Sequence, residues 1–132
     1  MILGIGIDSV EIERFAHWYA YDRKKLLRIF SEGEIEYCLS SIHKSAERFA
    51  VRYAAREALF KAINQTFYDQ QIPFLRLCKA VEIKKKSCGK PILIIEWELI
   101  HSSQLNNCNT LLSLTHTKHI ATAMVILESN KI

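Results

Sequence analysis

The sequence predicts an α+β fold in which helices pack on an antiparallel sheet. Helical patterns lie mostly in the first half of the chain, and strand-like segments separated by turn residues fill the second half. One long helix near the middle of the chain is the clearest element. The chain has 132 residues, the length of one domain, and we expect a single domain over residues 1–132.

A short strand is predicted at residues 3–8. In this strand Ile5 and Ile7 point to one face, whereas the two intervening glycines and Asp8 point to the other. Glycines at such positions leave room for another element to approach the backbone closely. We therefore expect the face that carries Asp8 to lie against a neighbouring element.

Three short helices are predicted before the long one. Asp22 can cap the second of them, and Ser31 with Glu34 makes a capping box for the third. The predicted spans are Val10 to Trp18, Asp22 to Phe30, and Ser31 to Leu39.

The long helix is predicted from Ala46 to Ile63, and a polar loop that contains Pro73 follows it over residues 64–74. The remaining chain is predicted as strands. These strands are Ala80–Lys85, Ile92–Leu99, Thr110–Thr115 and Ile120–Leu127, with turns at Gly89–Pro91, Asn106–Asn107 and Thr117–Lys118.

The charge of the chain is mildly positive. A formal charge of +4 and a pI of about 8.9 suit a partner rich in phosphates or carboxylates. The excess is too small to indicate a nucleic acid partner by itself. A small nucleic-acid-binding domain is therefore a weak hypothesis that rests only on charge.

The cysteines and the hydropathy indicate a cytoplasmic protein. Cys38, Cys78, Cys88 and Cys108 form no C-x-x-C pair and no zinc-like spacing with histidine, which is typical of a reduced protein. The apolar segment at residues 1–8 is too short for a signal peptide, and no apolar run approaches the length of a membrane span. We expect no membrane partner.

Two charged residues stand on an otherwise apolar face of the long helix. At 100° per residue, Glu57 and Lys61 share one face with small apolar residues that we expect to be buried. A Glu–Lys pair four residues apart is often only a minor surface interaction. Because burial of a charged pair costs several kcal/mol per ion, a partly wet functional cleft explains these residues better.

Arg48, Arg52 and Arg56 lie on the opposite face of the same helix. Taken alone, they are typical of a solvated stripe. They could instead bind phosphates, because guanidinium groups bind phosphate oxygens in pairs.

Asp8 ends the first strand, where an aspartate is usually a turn or cap former. Paired in space with Glu57, it would instead form a hard-oxygen site of the kind Mg²⁺ prefers, completed by waters and substrate phosphates. Residues 113–118 combine hydroxyls, an imidazole and a lysine that could contact phosphate, whereas His116 and His119 lack the partners of a zinc site.

The chain resembles the holo-acyl-carrier-protein synthases, which are small phosphopantetheinyl transferases, through four segments in the family's order. The segments are Gly4-Ile5-Gly6-Ile7-Asp8 with Val10-Glu11-Ile12-Glu13-Arg14; Arg48-Phe49-Ala50-Val51-Arg52-Tyr53-Ala54-Ala55-Arg56-Glu57-Ala58 with Lys61-Ala62; Gly89-Lys90-Pro91; and Ser113-Leu114-Thr115-His116-Thr117-Lys118 with Ala121 and Ala123. The resemblance spans almost the whole chain.

This resemblance implies the phosphopantetheinyl-transferase fold and a magnesium-dependent enzyme of fatty acid biosynthesis. The reaction transfers 4′-phosphopantetheine from coenzyme A to a serine of apo acyl carrier protein and releases 3′,5′-ADP. The resemblance also implies a homotrimer with active sites between subunits. The general base is left open between Glu57, Asp8 and a metal-bound water.

The resemblance assigns roles to individual residues. It implies that Asp8 and Glu57 hold Mg²⁺, that Lys61 lies against the pyrophosphate as the third catalytic residue, and that a set of nucleotide-binding residues lies near the 3′-phosphate. That set is Arg52, His116 and Thr117, and the residues implied to face the acidic carrier protein are Arg14, Arg23, Lys24 and Arg28. Because Arg52 points away from Glu57 on one helix, two subunits would present both residues to one coenzyme A.

The sequence departs from the family after Lys61. The family usually has a Gly-Thr-Gly loop there, whereas this chain continues Ile63-Asn64-Gln65-Thr66-Phe67, which adds bulk. The departure motivates an alternative hypothesis, a non-catalytic module that binds coenzyme A or a carrier protein.

Overall fold

A computed structural model of the protein describes residues 1–66, 71–100 and 108–130. It confirms the α+β class, with one long helix packed on antiparallel sheets. The strands are β1 (Ile2–Glu11), β2 (Val81–Lys85), β3 (Pro91–Ile95), β4 (Cys108–His116) and β5 (Ile120–Ser129), and the helices are α1 (Arg23–Leu26), α2 (Glu32–Leu39), α3 (Ser45–Thr66) and α4 (Phe74–Lys79). In the described residues, no helix is long and apolar enough to cross a bilayer.

The main sheet joins the two ends of the chain. Its strands are in the order β1-β5-β4, and both pairings are antiparallel, whereas β2 and β3 form a separate two-stranded sheet. The register places Asp8 opposite Ala123 and His116 opposite Ala121. Successive residues of β5 alternate between buried and half-buried, so one face of this sheet forms the core.

The helix α3 crosses that inner face at close range. A Cβ atom on Gly6 would lie 1.8 Å from the carbonyl oxygen of Ala58, and one on Gly4 would lie 2.2 Å from that of Ala62. Real Cβ atoms do not approach oxygen so closely, which confirms the close approach that these glycines predict. Small residues on both elements therefore bring Asp8 to the surface of α3.

Side chains near the end of α3 bond to the backbone of β1. Lys61 Nζ donates to Ile7 O at 3.0 Å, Ile5 N donates to Gln65 Oε1 at 3.0 Å, and Thr66 Oγ1 donates to Leu3 O at 2.8 Å. Since β1 is an edge strand of its sheet, these three bonds fix its outer edge to the helix.

The predicted helix from Val10 to Trp18 is wrong. The strand β1 continues to Glu11, because Val10 and Glu11 pair with residues of β5. Two short 3₁₀ turns follow, at Ile12–Phe15 and Trp18–Ala20. They direct aromatic side chains into the core, where the ring centroids of Phe15 and Trp18 are 4.5 Å apart.

The start signals of the next two helices are confirmed, although one helix is shorter than predicted. Lys25 N donates to Asp22 Oδ1 at 2.8 Å, but α1 ends at Leu26 and turns lead to Phe30. The capping box is complete, since Ser31 and Glu34 bond each other's backbone N–H groups.

The long helix is longer than predicted, and the loop after it is partly wrong. Helix α3 runs to Thr66, residues 67–70 lie outside the described residues, and α4 begins at Phe74. The predicted turn at Asn106–Asn107 also lies outside the described residues. The turn before β3 is confirmed by the φ of 86° at Gly89, and the strand predicted to Leu99 ends at Ile95.

Candidate active site

Asp8 and Lys61 form one centre, at the contact between β1 and α3. Lys61 Nζ donates to Asp8 Oδ1 at 3.1 Å and to the carbonyl oxygen of Ile7 at 3.0 Å. The Asp8 side chain is 15% exposed and that of Lys61 is 52% exposed. Lys61 is therefore paired with Asp8 across the strand–helix contact.

The second oxygen of Asp8 has an unusual environment. Oδ2 is buried and has no hydrogen-bond partner among the described residues. A buried carboxylate oxygen without a partner is costly unless a ligand satisfies it. Hard divalent cations such as Mg²⁺ bind oxygens of this kind, so the residues present fit a Mg²⁺ ion.

Glu57 lies one helical turn before Lys61, so both side chains lie on the same side of α3. It is half-buried, and its carboxylate is near the phenol of Tyr53. Burial raises the pKa of Tyr53, and the negative charge of Glu57 raises it further. Tyr53 thus remains a protonated neighbour of Glu57, a role that the sequence did not indicate.

The carboxylates available to a metal are few. Across residues 1–66, 71–100 and 108–130, no three His, Cys, Asp or Glu side chains are grouped so that they could hold an ion. Asp8 and Glu57 could contribute two ligands at most. The remaining ligands would be waters and phosphate oxygens, which is the coordination that Mg²⁺ favours.

A second centre lies on the other side of α3. Arg52 precedes Glu57 by five residues and Lys61 by nine, which places it about 140° and 180° around the helix from them. It lines a cavity of about 230 Å³ together with His116, which the sequence also predicted as a nucleotide-binding residue. His116 Nε2 lies 3.1 Å from Glu47 Oε1 across this cavity.

Thr117 occupies the turn beside that cavity. Its Oγ1 accepts hydrogen bonds from the backbone N–H groups of His119 and Ile120, at 3.2 and 3.1 Å. Because Oγ1 acts as the acceptor in both bonds, its hydroxyl proton is available for donation to another group.

Arg52 and Arg56 do not belong to a solvated stripe, which corrects that interpretation of the sequence. Arg56 is fully buried, and its guanidinium donates to both oxygens of Glu34, at 2.9 and 2.5 Å, and to the carbonyl of Val81 at 2.8 Å. Arg52 is 6% exposed, and its Nε has no hydrogen-bond partner among the described residues. The Nε of Arg56 also lacks a partner there, but its guanidinium donates four hydrogen bonds within the described part of the chain, whereas that of Arg52 donates one, to Arg48 O at 3.2 Å. Arg56 is therefore a structural residue, and Arg52 has more donors left for a ligand.

The residues expected to face the carrier protein are exposed. Arg14, Lys24 and Arg28 lie at the surface around the first turns and α1. Arg23 is also exposed, but its Nε donates to Glu32 Oε2 at 3.0 Å and its guanidinium also pairs with Glu36. The charge of Arg23 is thus partly offset within the chain.

The buried thiols do not take part in either centre. Burial raises the pKa of Cys38 and that of Cys78 to about 12. Both residues remain neutral thiols near neutral pH, and thiols are weak nucleophiles.

Comparison with known proteins finds relatives that match nearly the whole chain. A family model described as the 4′-phosphopantetheinyl transferase superfamily matches residues 4–123. The chain is 36% identical over 129 residues to a holo-[acyl-carrier-protein] synthase of Treponema denticola, covering 97% of this chain and 99% of the relative. It is 39% identical over 132 residues to the enzyme of the same name from Geobacter sp. (strain M21), with the same coverage.

Solved structures give the same fold. The holo-(acyl-carrier-protein) synthase of Bacillus anthracis, in complex with CoA (3′,5′-ADP), superimposes with a TM-score of 0.76 at 31% identity. The match covers 98% of this chain and 99% of that chain.

Proposed function

The chain belongs to the 4′-phosphopantetheinyl transferase superfamily, and from this membership we propose its reaction. The protein transfers the 4′-phosphopantetheine group from coenzyme A to a serine of an apo acyl carrier protein and releases 3′,5′-ADP. The named relatives and the coenzyme A complex of the Bacillus anthracis structure support this activity.

The observation that carries the proposal is the centre formed by Asp8 and Lys61. The Asp8 carboxylate, which has one buried oxygen without a partner among the described residues, lies beside the Lys61 ammonium group. A second carboxylate, that of Glu57, lies one turn before Lys61 on α3. This combination suits a pyrophosphate, which needs both cationic charge and a divalent ion to offset its own.

Asp8 and Glu57 would hold Mg²⁺, which when bound neutralises the pyrophosphate and polarises the phosphorus. In the transfer, the serine hydroxyl attacks the β-phosphorus of coenzyme A. The bond from that phosphorus to the bridging oxygen breaks, and 3′,5′-ADP leaves with that oxygen. Lys61 would stabilise the charge that develops on the leaving group, while the serine proton would pass to Glu57, to Asp8 or to a water at the site.

The nucleotide end of coenzyme A would bind the second centre. Arg52, His116 and Thr117 offer a guanidinium, an imidazole and a free hydroxyl proton, which suit the 3′-phosphate. Because this centre lies on the far side of α3 from Lys61, one chain cannot bring both centres to one coenzyme A. We therefore assign the two ends of the substrate to adjacent subunits.

The outer face of the main sheet supports assembly into a homotrimer. Ile5, Ile7 and Leu111 point outward from it and are 49%, 58% and 54% exposed. The register places Ile126 between Ile5 and Leu111, which makes the apolar surface continuous across three strands. Such a continuous exposed apolar patch marks an interface.

The carrier protein would approach the exposed basic residues near α1. In the described part of the chain, Arg14, Lys24 and Arg28 form no ion pair, so they can meet an acidic surface. Complementary charge of this kind increases the association rate more than it increases affinity.

Mass spectrometry of an apo acyl carrier protein tests the proposal. The carrier is incubated with this protein, coenzyme A and Mg²⁺, and a parallel reaction contains EDTA. We expect the carrier to gain the mass of one phosphopantetheine, and EDTA to abolish the gain.

The alternative is a non-catalytic module that binds coenzyme A or a carrier protein. It is motivated by the continuation of α3 to Thr66, where the family has a glycine-rich loop. Coenzyme A binding by the folded protein, without any mass gain on the carrier, would favour this alternative and refute the transferase.

A further inference from the structure

Three cationic side chains surround the ring of Tyr37, on α2. The guanidinium carbons of Arg48 and Arg52 lie 4.0 and 4.7 Å from the ring centroid, and Lys85 Nζ lies 4.7 Å from it. Lys85 Nζ also donates to the Tyr37 hydroxyl oxygen at 2.8 Å. This hydrogen bond lowers the pKa of Tyr37, although burial opposes the effect.

These cations are poorly neutralised within the chain. Arg48 donates to two neutral oxygens, Tyr37 O at 2.8 Å and Ser40 Oγ at 2.9 Å. Among the described residues, only Arg52 of these three cations forms an ion pair, and its partner carboxylate, Glu34, lies 3.9 Å from Arg52 Nε.

Glu34 has little capacity left for Arg52. Arg56 already donates to both of its oxygens. Like charges held this close repel one another, and partial burial reduces the screening by water. A cluster of this kind is costly to the folded protein unless an anion joins it.

The cluster lies in the wall of the proposed nucleotide site. Arg48, Lys85 and Tyr37 line the same cavity of about 230 Å³ as Arg52 and His116. The carboxylate of that cavity, Glu47, is 3.1 Å from His116. The rest of the cavity wall is apolar, so an anion that enters meets mainly positive charge.

We propose that Tyr37 is a positioning residue that holds Arg48 and Lys85 beside Arg52, and that these cations together select coenzyme A over its 3′-dephospho form. The inference rests on the proposed function, because it assigns the cluster to the 3′-phosphate of that substrate. Tyr37 contributes a ring face to the cations and a hydroxyl to Lys85. Both contacts hold the long side chains of the cations in place before the substrate binds. These side chains therefore lose less conformational freedom when binding occurs.

The test measures kcat and KM for both donors, coenzyme A and 3′-dephospho-coenzyme A. The variants are Lys85→Met, Tyr37→Leu and Tyr37→Phe. We expect Lys85→Met and Tyr37→Leu to raise KM for coenzyme A about tenfold, the value of one charged hydrogen bond. KM for the dephospho donor, and kcat with either donor, should change less than about twofold.

Tyr37→Phe separates the two contacts of the phenol. It keeps the ring and removes the hydroxyl, so we expect a smaller rise in KM for coenzyme A than in Tyr37→Leu. Lys84→Met is the matched control, because it removes the same charge from the neighbouring residue of β2, which does not line this cavity. It should leave the preference between the two donors unchanged.

Calorimetric binding of both donors gives an independent readout. If Lys85→Met weakens both donors equally, or neither, the inference is wrong. Failure of the wild-type protein to modify a carrier refutes the proposed function instead, while the binding ratio still tests the cluster. If Tyr37→Leu does not fold, Tyr37→Phe and Lys85→Met decide the outcome.

Discussion

The two oxygens of Asp8 have different neighbours, and this difference defines its chemistry. Oδ1 is held by Lys61, whereas Oδ2 is buried without a partner among the described residues. The Arg56 guanidinium differs, because it donates hydrogen bonds to buried groups of the fold, the Glu34 carboxylate and the carbonyl oxygen of Val81. The second oxygen of Asp8 thus remains available to a ligand, whereas both oxygens of the Glu34 carboxylate that pairs with Arg56 are used within the fold.

We expect Asp8→Ala and Glu57→Ala each to lower Mg²⁺-dependent turnover by at least about a hundredfold, because each removes a carboxylate that the proposed metal site requires. Both variants should remain folded, since neither carboxylate takes part in the core. Rates of holo-carrier formation, with circular dichroism as the folding control, check this expectation. Turnover like that of the wild type in either variant would exclude the metal assignment.

Arg56→Ala should lower the free energy of unfolding by about 3–5 kcal/mol, because it leaves the buried Glu34 carboxylate without its partner. Equilibrium unfolding in urea measures the loss. The control is Arg23→Ala, which breaks the exposed pair with Glu32 and should change stability little. Equal effects of the two variants would contradict the structural role of Arg56.

At the scale of elements, the contact between β1 and α3 positions the active site. The glycines of β1 allow the helix to approach until Lys61 reaches Ile7 and Asp8. The strand carries one carboxylate, and the helix carries the other. Their relative position thus depends on the missing Cβ atoms of two residues.

Gly6→Ala should therefore disturb both stability and activity. The new Cβ would lie 1.8 Å from Ala58 O, so strand and helix must separate, at a cost of about 1–3 kcal/mol or more. We expect the rate of holo-carrier formation to fall by a larger factor than the fraction of folded protein. Kinetic assays measure the rate, and urea unfolding measures the folded fraction. Gly33→Ala is the control, because its Cβ would meet only ordinary contacts at 3.6 Å; an equal effect there would exclude the steric explanation.

Local signals in the sequence predicted these elements well, and distant contacts explain the failures. The capping box at Ser31, the long helix and the strand that carries Asp8 depend on neighbours in sequence. Val10 and Glu11 extend β1 only because β5, more than a hundred residues away, pairs with them. The burial of Arg56 depends in the same way on Glu34, which its helical periodicity does not indicate.

The site was likewise predicted in part. Asp8 and Lys61, which the family resemblance implies at the metal and at the pyrophosphate, lie together, and Arg52 shares a cavity with His116. Tyr37 and Lys85 were missed, because a tyrosine on a short helix and a lysine in a basic strand are common surface residues. Only the tertiary fold brings them to one another.

At the scale of the whole molecule, the two centres lie on opposite sides of α3, and this arrangement leads to a test of assembly. Asp8→Ala lacks the first centre and Arg52→Ala weakens the second, so each homogeneous variant should turn over slowly. In the proposed trimer, a mixture of the two variants would contain interfaces at which an intact first centre faces an intact second centre. Co-refolding of the two variants should therefore restore a fraction of the wild-type rate.

Rates of the co-refolded mixture, compared with the mean of the two separate variants, measure this complementation. Light scattering gives the mass of the assembly in the same samples. A mixture no faster than that mean would place both ends of the substrate on one chain and contradict the shared site.

The bonds from α3 to β1 have a consequence for aggregation. A bare edge strand is a template on which other chains can add by backbone pairing. Here side chains of α3 bond to backbone groups of β1: Lys61 and Thr66 donate to the carbonyl oxygens of Ile7 and Leu3, and Gln65 accepts from the N–H of Ile5. The same strand exposes the side chains of Ile5 and Ile7. The side chains at the end of α3 thereby leave fewer free backbone groups at this edge on which another chain could pair.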